Sequence, residues 1–301
     1  MKSLLRWLAV IPLLSMLFAP KVAAFSSLYS FEHPIILMNE FSDIKDDIIY
    51  TPEIQFSNTA DGKNKIVIHW YELFTNRSGE IIIESNTIGF PVIKVANDKI
   101  FHVDYMDHNI KVYNMSGKFI RTIFIENDYL DHAYPSGIMP LAVGDNVIVI
   151  DNIFSVNKKT IQVYNWKGEQ LNRFSKFLKM TPCQNIVHAN DKIYCFYLGS
   201  VETFDILGNE KNSRFLKGDD FNQYSQYVGS DGYFAVIGNE FLTRYTSDFH
   251  ECARIALDVI LGEDILGNKL DIDVRNLKLI SSDSYLYILD LHNNIVTRFS
   301  F

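Results

Sequence analysis

Cysteine is scarce in this 301-residue chain, and the three that are present, Cys183, Cys195 and Cys252, form no CxxC pair. An odd count leaves at least one thiol without a disulfide partner. If residues 189–192 close a hairpin, Cys183 and Cys195 fall on opposite faces of the sheet, where a disulfide cannot join them. The sequence therefore predicts buried thiols and no CxxC redox chemistry.

Sequence motifs of the common enzyme classes are also absent. The chain contains no GxSxG, no HExxH, no GxGxxG and no P-loop sequence. Their absence removes the support for common hydrolase, zincin, dinucleotide-binding and NTPase activities. We therefore expect a binding protein rather than an enzyme, with no cofactor other than the divalent cation considered below.

Long runs of like charge are missing as well, although the formal net charge is -8. An acidic surface repels the phosphate backbone of nucleic acids and anionic lipid headgroups. We therefore expect no nucleic-acid partner and no binding to a membrane surface. Because the charges are spread along the chain, an ordinary solvated surface is enough to explain them.

A long apolar stretch, residues 7–19, follows Lys2 and Arg6 at the start of the chain. This arrangement is typical of a cleavable signal peptide, and the stretch is shorter than the roughly 20 residues that span a bilayer. We predict a signal peptide over residues 1–24 and a single mature domain over residues 25–301. The mature protein is expected to be a monomer in the periplasm or outside the cell, without stable membrane insertion.

Six short apolar strands align with one another along the chain. Their sequences are KIVIHW (65–70), KIFHVD (99–104), NVIVID (146–151), KIYCFY (192–197), YFAVIG (233–238) and YLYILD (285–290). Each of the last five precedes an amphipathic strand with an aromatic end, followed in three units by a turn from Asn or Asp to Gly. Such residues suit a tight hairpin. A four-stranded repeat of about 46 residues predicts the blade of a β-propeller.

The whole mature chain then forms an all-β, six-bladed β-propeller of four-stranded antiparallel blades. The last unit ends after its third strand, and the N-terminal segment 28–41 has the strand character to complete it. A sheet shared by the two chain ends would close the ring and cover its edges. A β-sandwich or barrel does not explain six alignable units, and an open solenoid needs capping ends that the sequence lacks. The segment 255–276 is predicted as an insertion with a helical turn.

One unit carries a recognisable pattern of valine and aspartate, asparagine, a basic residue, an aromatic residue and a glycine turn. The residues are Val103, Asp104, Asn109, Lys111, Tyr113 and Gly117. The pattern resembles the repeat of NHL-type six-bladed propellers, and a similar spacing recurs over residues 289–299. The resemblance covers most of the mature chain as architecture. Families with this fold include scaffolds, ligand-binding modules and enzymes, so the resemblance implies a fold and no single function.

Aspartates end three of the six aligned strands, and polar residues follow them. The set is Asp104, Asp107, His108, Asp151, Asn152, Asp290 and His292. Since equivalent strand ends lie on one face of the ring, we expect these side chains around the mouth of the channel, where such groups can hold a cation or a polar ligand. The alternative is that each aspartate caps its own turn by bonding nearby amides.

A long predicted connection, residues 126–140, joins two blades on the same face and contains His132 and Tyr134. Long loops on a rigid scaffold often carry binding groups. Aromatic side chains also pack over a channel mouth simply to bury area. Both residues are therefore predicted members of the ligand-binding set, with packing as the alternative.

These observations favour an exported, non-catalytic propeller that binds a protein partner or a small polar ligand on this face. One alternative is a metal-dependent hydrolase or lyase, similar to propeller lactonases, with a divalent cation in the central channel. The lactonase ligand pattern does not map residue by residue onto the chain. A purely structural part of an envelope assembly is a third interpretation.

Overall fold

The structure is a computed structural model. It describes residues 26–32, 38–39, 41–57, 64–85, 91–104, 107, 109–125, 141–144, 146–152, 160–175, 183, 185–189, 191–197, 200–209, 211–215, 226–228, 233–246, 248–261, 269–282 and 285–300. The predicted signal peptide, His108, His132 and Tyr134 lie outside the described residues.

The 24 strands that the structure describes belong to six four-stranded antiparallel sheets, the blades. Blade 1 contains β2 (Asp43–Lys45), β3 (Ile48–Gln55), β4 (Lys65–Glu72) and β5 (Ser78–Glu84). Blade 2 contains β6 (Ile93–Ala96), β7 (Lys99–Asp104), β8 (Asn109–Asn114) and β9 (Phe119–Phe124). Blade 3 contains β10 (Leu141–Gly144), β11 (Val147–Asn152), β12 (Thr160–Asn165) and β13 (Gln170–Ser175). Within each of these blades, strands that follow one another in the chain are neighbours in the sheet, as a series of hairpins requires.

The other three blades follow the same plan, and in the last one the fourth strand comes from the N-terminus. Blade 4 contains β14 (Asn185–Ala189), β15 (Lys192–Tyr197), β16 (Ser200–Asp205) and β17 (Lys211–Phe215). Blade 5 contains β18 (Gln226–Val228), β19 (Phe234–Ile237), β20 (Phe241–Tyr245) and β21 (Glu251–Ala256). Blade 6 contains β22 (Leu277–Ser282), β23 (Tyr285–Asp290), β24 (Ile295–Ser300) and β1 (Ser26–Glu32).

Among the described residues, helix occurs only in the connection between β21 and β22, where the sequence predicted a helical turn. It contains α1 (Leu257–Leu261) and a 3-10 helix (Val274–Asn276). None of the helical segments within the described ranges has the length and apolar character to cross a membrane.

The first strands of the blades contact one another in order around a central axis. β2 contacts β6, β6 contacts β10, β10 contacts β14, β14 contacts β18, β18 contacts β22, and β22 returns to β2. Six blades thus form one closed ring. This architecture is the predicted six-bladed β-propeller.

Strand β1 closes the ring by pairing antiparallel with β24, from Ser26 opposite Ser300 to Glu32 opposite Ile295. The prediction that the N-terminal segment completes the last blade is confirmed. Its bounds differ, since the strand covers Ser26–Glu32 and not the whole of 28–41. The later part of that segment leads into blade 1, where the Met38 side chain is buried in the core.

The sequence alignment placed one strand wrongly. KIVIHW belongs to β4, the third strand of blade 1, and the second strand is β3. β4 resembles the second strands of other blades because it is strongly apolar, whereas β3 contains Pro52 and Glu53. The turn between the first and second strands identifies β3 as the second strand of blade 1. Residues 46–47 in that turn have positive φ, as do residues 97–98 in the equivalent turn before β7.

The hairpins between third and fourth strands follow the predicted turn chemistry. In blade 2, the Gly117 amide donates a hydrogen bond of 3.0 Å to the Asn114 carbonyl, and Gly117 has a φ of 78° that glycine adopts without strain. The same turn recurs at residues 165–168 and 205–208. In blade 5 the glycine position is occupied by Phe249, with a φ of 64°.

Burial decreases from the second strand of a blade to the fourth. The last five residues of β7, β15 and β23 are buried, whereas most of β9 is exposed. Neighbouring blades share a core, as where Val103 and Ile110 of blade 2 pack with Ile148 and Ile150 of blade 3. This gradient was predicted, because inner strands lie between blades while the outermost strand meets water.

Candidate functional site

The two faces of the ring differ in the length of their connections. Second and fourth strands end on one face, and its connections include residues 56–64, 85–92, 125–140 and 257–276. We call it the long-connection face. On the opposite face, no connection between described strands exceeds five residues, as in 73–77. Long connections on a rigid scaffold are where binding groups concentrate, so the functional search begins on the long-connection face.

Asp104 ends β7 on this face, and its side chain is fully buried. Its carboxylate accepts a hydrogen bond of 2.6 Å from Lys111 Nζ and one of 3.2 Å from the Asp107 amide. Lys111 Nζ also bonds the Asp107 carboxylate at 2.9 Å. Burial alone would raise the pKa of Asp104, but the hydrogen bond and charge of Lys111 outweigh it and hold that pKa below its usual value.

Asp290 holds the equivalent position in blade 6 and organises its own turn. Its carboxylate accepts hydrogen bonds from the amides of His292 and Asn293, each at 3.0 Å, and from the Asn293 side chain at 2.7 Å. His292 itself is exposed on the long-connection face. The turn-capping alternative therefore describes the observed contacts of Asp290.

Asp151 is likewise buried but makes a different kind of contact. Its carboxylate accepts a hydrogen bond of 2.7 Å from the Cys183 amide, so it ties blade 3 to the chain that enters blade 4. Asn152 follows it as the last residue of β11 and pairs with Thr160 in the ladder. A backbone amide is a hydrogen-bond donor, so this carboxylate stabilises the junction between two blades.

The predicted residues are not all neighbours. Asp104 and Asp151 belong to adjacent blades 2 and 3, but Asp290 belongs to blade 6, across the ring from blade 3. Within the described part of the chain, no group of three or more His, Cys, Asp or Glu side chains is arranged to hold a metal ion. A ligand-binding role for these residues stays a prediction.

A buried polar cluster lies between blades 3 and 4. The Tyr197 hydroxyl donates a hydrogen bond of 3.1 Å to the fully buried Glu202 carboxylate, and burial raises the pKa of Tyr197. Cys183 and Cys195 lie in the same core and are free thiols, so their predicted burial is confirmed. Cys252 is only half-buried, so the prediction was wrong for that thiol. The predicted placement of Cys183 and Cys195 on opposite faces was wrong, because Cys183 precedes β14 and strand alternation does not determine its side.

A groove between blades 1 and 2 was not predicted. At its inner end, Ser85 lies 3.1 Å from His102 Nε2, and His102 Nδ1 donates to the Val92 carbonyl at 3.2 Å. The Tyr113 hydroxyl donates to the Glu84 carbonyl at 3.0 Å. The sequence gives little indication of this site, since Ser85 and His102 are 17 positions apart and belong to different blades.

Comparison with known proteins supports the architecture. No protein-family model and no curated protein sequence matches the chain. A chain from the mitotic checkpoint complex is similar at a TM-score of 0.54 and 8% identity, covering 92% of this chain and 94% of that one. A DUF4221-family protein from Bacteroides vulgatus is similar at a TM-score of 0.51 and 10% identity, covering 92% and 97%.

The likeness shows the fold alone. At such low identity a shared fold says nothing about what is bound. The NHL-type resemblance of residues 103–120 stays a prediction, because no family model matches the chain. Any function has to be argued from the residues on the surface.

Proposed function

We propose that the chain is an exported, non-catalytic propeller of NHL-like type whose long-connection face binds a protein partner. One observation carries this proposal. The three most exposed large hydrophobic side chains in the described ranges are Phe124, Val259 and Phe56, at 75%, 73% and 62%. Phe124 ends β9, Val259 lies in α1, and Phe56 directly follows β3, so all three belong to the long-connection face.

Their distribution favours a protein partner over a small ligand. The side chains come from blade 1, blade 2 and the connection between blades 5 and 6, so no single small molecule can cover them. Protein interfaces use large apolar side chains as anchors, surrounded by polar groups. A small polar ligand gains less support, because the carboxylates of Asp104 and Asp290 bond to their own blades.

The experiment is to capture partners of the mature chain from the exported fraction of its source cells and to measure the affinity of each purified partner. The variants Phe124→Ser and Val259→Ser test the proposed face. Leu207→Ser is the matched control, because Leu207 is 60% exposed and lies in the turn between β16 and β17 on the opposite face. Thermal unfolding checks that all three variants fold.

The proposal predicts that Phe124→Ser or Val259→Ser weakens partner binding by about tenfold or more, as loss of an interface anchor does. Leu207→Ser should leave the affinity unchanged. If only Leu207→Ser weakens binding, the opposite face binds the partner and the proposal is wrong. If no exported protein is captured by the wild-type chain, the proposed function also fails.

A further inference from the structure

Two of the three most exposed hydrophobic side chains lie beside an exposed carboxylate. Val259 directly follows Asp258 in α1, and both are exposed. Phe124 is opposite Asn109 in the β8–β9 register, and the Asn109 side chain donates a hydrogen bond of 3.2 Å to the Asp107 carbonyl. Asp107 and Phe124 are therefore both neighbours of Asn109 on the long-connection face of blade 2.

The surroundings of Asp107 carry more negative than positive charge. Lys111 Nζ contacts the carboxylate of Asp104 at 2.6 Å and that of Asp107 at 2.9 Å, so two carboxylates share one ammonium group. Asp104 is buried, whereas the Asp107 side chain is 42% exposed. Lys111 bonds Oδ2 of Asp107, and no described residue donates a hydrogen bond to the other oxygen. One negative charge is therefore left over, and it is exposed at Asp107.

The same part of blade 2 contains an acceptor without a donor. Asn109 is 4% exposed, and no residue in the described ranges donates a hydrogen bond to its Oδ1 atom. A buried polar atom without a hydrogen bond is unfavourable. Asp107 and Asn109 thus offer acceptors at a place that lacks donors, which favours a ligand group that only donates.

Asp258 is a second carboxylate of this kind. Leu257 and Leu261 bury their side chains against the ring, which leaves Asp258 and Val259 exposed on the other side of α1. The Asp258 side chain has no ion pair or hydrogen bond with the part of the chain that the structure describes. The combination of an exposed apolar side chain and an uncompensated carboxylate therefore occurs twice on the long-connection face.

We propose that the partner protein presents basic side chains flanked by apolar ones. Its basic groups would bind Asp107 and Asp258, and its apolar groups would cover Phe124 and Val259. A guanidinium group has five N–H donors and no acceptor, so arginine matches the surplus of acceptors around Asp107. The formal net charge of -8 also attracts a basic partner and repels an acidic one. This inference rests on the proposed function, because it names the chemistry of the partner that binds the same face.

The first test uses a defined probe, the capped peptide Leu-Arg-Leu-Arg-Leu, in calorimetric titration of the mature chain at about 50 mM salt. Control peptides replace both arginines by glutamine or both leucines by serine. We expect each control to bind at least about tenfold more weakly than the arginine peptide, because each loses charged or apolar contacts. Salt at about 500 mM should weaken binding of the arginine peptide by about tenfold, since it screens exposed charges.

The variants Asp107→Asn and Asp258→Asn remove the proposed ionic contacts with little change in shape. Asp107→Asn keeps the buried pair of Asp104 and Lys111, so the fold should be retained, and thermal unfolding verifies this. Each variant should weaken binding of the arginine peptide by about threefold, and the double variant by about tenfold, as expected for exposed charge pairs that act independently. Asp191→Asn is the matched control, because Asp191 is exposed in the turn between β14 and β15 on the opposite face.

The inference is overturned if the arginine peptide does not bind at about 5 mM, if the glutamine peptide binds as tightly, or if both aspartate variants keep wild-type affinity. A captured partner that binds Asp107→Asn more tightly than the wild type would also overturn it. The proposed function fails by different results: no exported protein is captured, or only Leu207→Ser weakens its binding. A partner that needs Phe124 but neither Asp107 nor Asp258 would therefore refute this inference and leave the proposed function standing.

Discussion

Replacing Lys111 by Met removes the cation that neutralises a buried carboxylate. The Asp104 side chain has no exposed area, and that of Lys111 is 16% exposed. Methionine keeps most of the apolar stem of lysine, so the change isolates the charge. Removing one partner of a buried ion pair costs about 3–5 kcal/mol, because the remaining charge stays desolvated. We expect Lys111→Met to lower the free energy of unfolding by about that amount at pH 7.

The pH dependence identifies the cause. In the wild type the folded pKa of Asp104 lies below its ordinary value of 3.8, so its stabilising contribution is complete above that pH and is lost as pH falls through the folded pKa. Without Lys111, burial dominates and the pKa of Asp104 should rise above the unfolded value. The variant is then most destabilised at neutral pH, and its deficit should shrink as pH falls towards 4.

Urea unfolding at pH 7 and pH 4.5 measures both effects, and the double variant Asp104→Asn with Lys111→Met completes a thermodynamic cycle. With the buried charge removed, the double variant should be more stable at pH 7 than Lys111→Met alone. The reasoning is refuted if Lys111→Met lowers the free energy of unfolding by less than about 1 kcal/mol. It is also refuted if the loss in the double variant equals the sum of the losses measured for Asp104→Asn and Lys111→Met separately.

Three other predictions follow from the fold. Deleting residues 25–37 removes β1 and its ladder with β24. Because each lost hydrogen bond is worth a net value of about 1 kcal/mol, the melting temperature should fall by roughly 10 °C or more. An unchanged melting curve would contradict ring closure by β1. Phe249→Gly relieves a positive φ worth about 1–2 kcal/mol but removes a buried ring worth about 3–5 kcal/mol, so urea unfolding should show a net loss of about 2 kcal/mol; a more stable variant would show that strain dominates. If the predicted signal peptide is cleaved, N-terminal sequencing of the protein from its source cells should begin at Phe25, and retention of residues 1–24 would refute the signal peptide.

The fold was largely predictable because the propeller repeats its local chemistry. The apolar second strands and the Asn-to-Gly turns are visible in the sequence because burial and hydrogen bonding act within one blade. The incomplete last unit is visible because its fourth strand is missing from the end of the repeat series. The same reasoning failed in blade 1, where apolar content outweighed turn chemistry. Pro52 and Glu53 make β3 look unlike a second strand, although the positive φ of Asp46 and Asp47 marks the turn before it.

The candidate sites were less predictable because they depend on contacts between blades. Ser85 and His102 meet only when blade 1 packs on blade 2, and no spacing in the sequence encodes that packing. The partner of Asp104 is an exception. In the register, Asp104 is directly opposite Asn109 at the start of the next strand, and Lys111 lies two residues further along that strand. This diagonal position is within reach of a long side chain, so register alone can suggest the contact between Lys111 and Asp104.

One repeat position has acquired three different structural roles. Asp104 binds a lysine of its own blade, Asp290 caps its own turn, and Asp151 bonds the amide of Cys183 at the next blade. Because each carboxylate bonds inward, the repeat position stabilises the base of the long-connection face. Under the proposed function, residues that differ from blade to blade, such as Phe124 and Val259, would determine which partner binds. Substituting the aspartates should therefore change stability first, whereas substituting the exposed hydrophobic residues should change affinity with little effect on stability.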